Sequence, residues 1–249
     1  MSTPKLAIQL YSLRREFEKD AEGTLRSVRG LGYEYIEMAG TYGWSADKWK
    51  KLLAETGLKV VGAHMNPEEL TTGLAKQIEF HKAIGNHRYI LSSLSGEKHT
   101  VEGFTEAAKI LNAAAEKLKA EKGEVLYHNH DFEFQKLGGL TGYAILLKET
   151  DPKLVKFEVD TYWVERGGMD AAEFVAEHAN RIGTIHAKEL RRADKSEAAA
   201  GGGDINFPAI VELARKHDWP VIVEYEGEDA PAVSKKSAAY LSGLIAGRK

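Results

Sequence analysis

The strongest restriction on this chain is a count. Eight short runs rich in β-branched, aliphatic and aromatic residues recur from end to end: LAIQLY (6–11), YEYIEM (33–38), KVVGAHM (59–65), RYILSSL (88–94), EVLYHNH (124–130), VKFEVDTY (155–162), IGTIHAKE (182–189) and PVIVEYE (220–226). Amphipathic stretches separate them. In TVEGFTEAAKILNAAAEKLKAEKG, for example, Phe104, Ala107, Ala108, Leu111, Ala115 and Leu118 share one helical stripe. Glycines close several of these stretches, in RGLGY, ETGLK, AIGNHR and AEKGE, as left-handed helix caps feeding parallel strands would. A strand and a crossover helix repeated eight times in 249 residues, with no Pro/Ser-rich linker between them, predicts an α/β fold with one (β/α)8 barrel over residues 1–249. A doubly wound open sheet is the alternative.

Composition limits the partners. With 43% hydrophobic and 29% charged residues the chain buries a sizeable core. A formal charge of -3 supplies neither a basic field for nucleic acid nor a polybasic patch for a membrane, which leaves a small molecule as the expected partner. There is no cysteine, so any metal must be held by nitrogen and oxygen. The start MSTPKLAIQLYSL lacks the features of a signal peptide, and no run reaches the roughly 18 apolar residues of a membrane span; the cytoplasm is the expected location. Nothing in the pattern fixes an oligomeric state.

In a (β/α)8 barrel the C-terminal strand ends and the loops after them build the active site. Polar residues gather there: Gln9 and Tyr11, Glu37, His64, Ser92 and Ser93, His128 and His130, Glu158 and Asp160, His186 and Lys188, Glu224 and Glu226. The last four pairs are spaced i, i+2, so each points to one face. Burying this many carboxylates and imidazoles together is costly unless a cation neutralises them, and His, Asp and Glu suit one divalent ion of Mn, Mg, Co or Zn. The glycine-rich segment KSEAAAGGGDINF (195–207) follows the seventh strand and reads as a linker or as a mobile active-site loop.

Four segments, FEVDTYW, GTIHAKEL, GGGDINF and VIVEYEG, in this order and on these strands, resemble the xylose-isomerase-like barrels, which include sugar isomerases and epimerases, inosose dehydratases and the endonuclease IV group. The likeness covers essentially the whole chain. It implies one divalent metal held by Asp160, His186 and Glu224, with a fourth ligand from strand five. Where many members carry a glutamate, this chain has His128 in HNH; the open alternatives are that His128 replaces the carboxylate, that His130 or water takes that corner, or that both are packed core histidines.

The implied chemistry moves a proton at the carbon beside a carbonyl. His130 is the preferred base, Lys188 stabilises developing negative charge or pairs outward with Glu189 or a neighbouring acid, and Glu37 is a base, a hydroxyl ligand or a buried ion-pair partner. Gln9, His64 and Glu133 are expected sugar-hydroxyl contacts, with solvent as the alternative for Glu133; Trp163 is an apolar wall for a sugar ring or a packing residue. Glu158 is expected one layer deeper against a Lys or Arg. His81, His87, His99, His178 and His217 are set aside as background. The implied activity is isomerisation or epimerisation of a sugar or keto-sugar; a lyase acting on an inosose or 3-keto-glycoside, and a non-catalytic sugar-binding barrel, are the alternatives.

Overall fold

The computed structural model describes residues 2–247. Eight parallel strands form a closed barrel: β1 Leu6–Gln9, β2 Tyr35–Met38, β3 Lys59–Met65, β4 Arg88–Leu91, β5 Glu124–His128, β6 Val155–Asp160, β7 Ile182–Ala187 and β8 Val221–Val223. Each pairs with its neighbour in sequence, and β8 closes on β1 through Leu6↔Val221, Ala7↔Ile222 and Ile8↔Val223. Two short antiparallel ribbons, Lys136–Leu137 with Leu140–Thr141 and Glu189–Leu190 with Glu197–Ala198, lie in the loops after β5 and β7. Among the described residues no helix is long and apolar enough to cross a membrane.

The helices pack where the sequence stripe says they should. Val101–Lys119 starts at Thr100, whose side chain accepts from Gly103 N–H, and buries Phe104, Ala107, Ala108, Leu111, Ala115 and Leu118. Left-handed residues end several helices, Gly57 (φ 68) and Gly85 (φ 76) among them. In AEKGE the left-handed residue is Lys122 (φ 56) rather than the glycine. Gly123 is small for another reason: a Cβ there would meet Leu118 Cδ2 at 2.9 Å.

Most strands end before the sequence runs do, because polar side chains turn the chain at the barrel mouth. Gln9 accepts from Tyr11 N–H and starts a 3-10 turn over Leu10–Leu13. Asp160 accepts from Trp163 N–H at 3.0 Å and begins the helix Thr161–Arg166, so DTYW is a helix start and not a strand end. Asn129 takes over from the ladder at the end of β5: its Oδ1 accepts from Asp160 N–H at 3.0 Å and its amide donates to Asp160 C=O at 3.4 Å. Tyr11, Ser92, Ser93, His130, Lys188 and Glu226 therefore stand on loops above the strand ends.

The barrel interior changes character with height. Ala7, Val61 and Ile222, with Tyr35 against them, form a small apolar cluster separate from the main core, and Gln9, Glu37 and Glu224 follow two residues further along the same strands. Gly62 sits at this boundary, where a Cβ would come within 2.6 Å of Glu37 Oε1 and 2.8 Å of Ile90 Cδ1. Gly62→Ala is expected to lower stability by about 1–3 kcal/mol through overpacking. Denaturant unfolding measures this, and an unchanged midpoint would show a loosely filled barrel centre.

Candidate metal centre and active site

Four buried side chains from consecutive strands, His128, Asp160, His186 and Glu224, each bring one ligand atom into a group whose members lie within 4.8 Å of one another. His186 Nδ1 is 2.7 Å from Glu224 Oε2 and 3.8 Å from Asp160 Oδ2. Asp160 Oδ2 is buried without a hydrogen-bond partner, whereas Oδ1 holds Trp163 N–H. An orphaned carboxylate oxygen beside an imidazole and a second carboxylate, all nitrogen and oxygen donors, fits a divalent cation.

A second group lies just beneath. Glu158 Oε1 is 2.8 Å from His64 Nε2, 3.0 Å from His186 Nε2 and 3.2 Å from His128 Nδ1, and Thr184 donates to Oε2 at 2.8 Å. Glu37 Oε2 lies 2.6 Å from His186 Nε2 and 3.2 Å from His64 Nε2, and accepts from Gln9 Nε2 at 2.8 Å. The expected Lys or Arg partner of Glu158 is absent: three imidazoles take its place, because strand alternation aims β3, β5 and β7 histidines at the same depth.

The electrostatics follow from burial and crowding. Burial opposes charge on His64, but Glu37 and Glu158 outweigh it and push His64 up to about 10. His186 is raised well above the ordinary histidine value in the same way, by Glu158 and Glu37 against burial. Burial, helped by neighbouring positive charge, prevails at His128, pushed down to about 3, and at His130, pushed down to about 4. Glu158 and Glu224 are held well below the usual carboxylate range, despite burial, by His186 and Lys188 respectively, while burial lifts Asp160 to about 8. Protons on His64 and His186 thus balance the buried carboxylates in the metal-free protein, and a divalent ion carries the same charge.

Above the cluster opens a cleft of about 570 Å³ lined by Tyr11, His64, Asn66, Glu69, Ser92, Ser93, His128, His130, Trp163, Glu224 and Glu226, among others. That volume suits a small polar ligand. His130 stacks on Phe132 (5.4 Å between centroids) and faces Trp163 (5.3 Å). Its Nδ1 is buried without a partner. Lys188 is fully buried beside the cleft, over Trp163 (4.9 Å) and Tyr162 (5.2 Å), and pairs with Glu226, Glu197 (3.7 Å) and Glu224 (3.9 Å), not with Glu189. A separate hollow of about 400 Å³ is bordered by Glu165, Asp170, Arg192 and Lys195, but Arg192 is already paired with both acids.

Three expectations change. Gln9 does not reach the cleft; it is buried beside Glu37, its register partner, and fixes that carboxylate. Glu133 turns inward but is consumed there, accepting from Tyr127 Oη at 2.7 Å and His130 N–H at 2.9 Å, so it braces His130 rather than meeting a hydroxyl. Segment 195–207 is not a linker but a loop that packs onto the site. Buried Glu189 accepts from the N–H groups of Leu190, Gly201 and Ile205 and pins it, which delivers Glu197 to Lys188 and to Glu226 N–H. Glu37 lies in the buried network between Gln9, His64 and His186 and does not line the cleft.

Some residues at the site were not singled out in the sequence. Asn66 and Glu69 line the cleft from the loop after β3, where each side chain accepts from the other's N–H. The signal that could have found them is the reciprocal capping spacing in NPEE. His99, set aside as background, stacks on Phe132 at 3.6 Å and so supports His130 indirectly.

Comparison with known proteins agrees with this architecture. The pattern defining the xylose isomerase-like TIM barrel matches residues 25–244. An inosose dehydratase of Clostridium perfringens is 24% identical, over 87% of this chain and 85% of its own. A solved sugar phosphate isomerase/epimerase from Parabacteroides distasonis is 26% identical and superposes with a TM-score of 0.80, covering 98% of this chain and 96% of that one. An L-ribulose 3-epimerase, 15% identical with a TM-score of 0.72 over 98% of this chain and 95% of that one, shares the fold.

Burial lifts the Glu133 carboxyl from 4.5 to about 8. A carboxyl whose folded value is raised favours folding most at low pH, and that contribution is lost as pH climbs from about 4.5 through about 8. Glu133→Gln copies the protonated form, with its amide facing Tyr127 Oη and its oxygen facing His130 N–H. Across that window the wild type is expected to lose on the order of a few kcal/mol relative to the variant. Parallel slopes in urea unfolding at several pH values would rule this out.

Proposed function

Since this chain belongs to the xylose isomerase-like TIM barrel family, we propose that it is a divalent-metal-dependent enzyme that moves a proton at the carbon beside the carbonyl of a sugar or keto-sugar, as an isomerase or epimerase does. The observation that carries this reading is the buried His128, Asp160, His186 and Glu224 group, with the neutral His130 imidazole at its edge and a sugar-sized cleft above. Held by those four residues, a divalent cation would supply Lewis-acid polarisation of the substrate carbonyl and its neighbouring hydroxyl.

The chain's own groups account for the rest. His130 is uncharged at neutral pH because burial disfavours the imidazolium, so it accepts a proton from the substrate carbon and returns it to the adjacent carbon on the same face, whereas epimerisation requires a second group to deliver a proton from the opposite face. The Phe132 stack and the Glu133 bond to His130 N–H fix the ring's position. Lys188, kept charged by Glu224 and Asp160 against burial, stabilises negative charge that develops on the substrate. Ser92, Ser93 and Asn66 offer hydroxyl and amide partners to sugar hydroxyls, His64 lies beside them, and Trp163 gives the ring an apolar wall.

A second reading, dehydration of an inosose or a related elimination, is favoured by the pair formed by Lys188 and Glu226 at the cleft. After His130 has removed the proton, that pair would protonate a departing β-hydroxyl. Incubating the manganese-loaded protein in D2O with a panel of ketoses, inososes and keto-glycosides separates the outcomes. Deuterium uptake with an isomer or epimer as product supports the first reading, and loss of one water supports the second. Binding without exchange or turnover makes the barrel a sugar-binding module.

The two histidines of HNH should fail differently. His128→Ala is expected to weaken metal binding by about 10- to 100-fold or more, with activity partly restored by excess metal. His130→Ala should keep its metal yet lose about 100-fold or more in proton transfer, without rescue. Metal titration and exchange kinetics on both variants check this, and two metal-replete, fully active proteins would sink the assignment.

A further inference from the structure

The chemistry above leaves the buried Glu158 carboxylate unused. Glu158 lies on β6 two residues below Asp160, and its Oε1 is within 3.2 Å of one nitrogen from each of His64, His128 and His186. An ionised carboxylate only accepts hydrogen bonds, so each nitrogen facing it carries the hydrogen. In a neutral imidazole the other nitrogen then holds the lone pair.

The two histidines of the metal group face Glu158 with different nitrogens. His128 presents Nδ1, at 3.2 Å, which leaves Nε2 as its ligand atom. His186 turns Nε2 to two buried acids, 2.6 Å from Glu37 Oε2 and 3.0 Å from Glu158 Oε1, and its Nδ1, 2.7 Å from Glu224 and 3.8 Å from Asp160, is the nitrogen that would give up its proton to the ion. We propose that Glu158 is a positioning residue of the metal centre, fixing Nδ1–H on His128 and, together with Glu37, Nε2–H on His186, so that the opposite nitrogens of the two rings face Asp160 and Glu224. This rests on the metal reading given above.

Glu158 is itself fixed. Thr184 donates to Oε2 at 2.8 Å, and the β6 and β7 register sets Glu158 opposite Thr184 and Asp160 opposite His186. Glu37 cannot substitute for it, because Glu37 reaches His186 and His64 but is not bonded to His128. The arrangement also bears on the histidine at the end of β5. A neutral imidazole there brings no charge to the ion, and Glu158 places a negative charge directly behind it. A glutamine could still offer an oxygen acceptor to the rings, but it brings no negative charge and holds their hydrogens less strongly.

Two measurements test this on the full chain: calorimetric titration of the metal-free protein with Mn and Zn, and ¹⁵N-edited NMR of the histidine rings in the Zn-loaded protein. The wild type is expected to show Nδ1–H at His128 and Nε2–H at His186. Glu158→Gln should bind either metal about 10- to 100-fold more weakly and show mixed tautomers at His128, with circular dichroism confirming its fold. Thr184→Val, which touches only the far oxygen, should change affinity less. A wild type in which His128 carries Nε2–H overturns the proposal even if Glu158→Gln fails to fold. So does wild-type affinity in Glu158→Gln, or wild-type affinity in an Asp160→Asn, Glu224→Gln double variant, which would make Glu158 a ligand. A wild type that binds neither metal instead removes the metal reading itself.

Discussion

The structure depends on how charge is balanced at the barrel mouth. Glu37, Glu158, Asp160 and Glu224 are held out of water within reach of His64, His128, His186 and Lys188. Isolated buried carboxylates are costly enough to unfold a domain, so each must be paired, protonated or neutralised by a cation. The same chain solves this in three ways: ring protons at His64 and His186, a proton shared out by burial at Asp160, and a fixed ammonium at Lys188. A divalent ion carries as much charge as the two ring protons.

That balance explains why the surroundings are stiff. Gln9 anchors Glu37, Thr184 anchors Glu158, Glu133 anchors His130, and Asn129 ties the ends of β5 and β6 together. A ligand group misplaced by an ångström loses most of its value, so buried polar residues that touch no ligand still serve the site. The loop after β7 is drawn into the same network, because Glu189 gathers its backbone N–H groups and brings Glu197 to the Lys188 ammonium.

Period and capping made most of the architecture readable. Eight apolar runs in one chain have few ways to bury both faces, and the closed parallel barrel is the simplest. The stripe on Val101–Lys119 and the i, i+2 spacing of Glu158 with Asp160 followed from backbone geometry alone. Strand ends were less readable. Gln9 and Asp160 look like strand residues by composition, yet each caps the turn that follows, and capping is a local competition that hydrophobic pattern does not record.

The sequence by itself determined that acids and imidazoles would meet at one end of a barrel, since strand alternation assigns each to the interior and strand order assigns the end. Only the tertiary structure decided their partners. Glu158 meets three histidines instead of a lysine, Lys188 meets Glu226 out of the several acids within its reach, and Glu133 meets Tyr127 instead of a ligand. These pairings join residues up to 94 positions apart, as in His64 with Glu158. They depend on register shifts such as the one between Phe157 and Glu158, which no local pattern encodes. Height along a barrel axis is set by closure of the whole sheet, and a few ångströms of height separate a ligand from the residue that orients it.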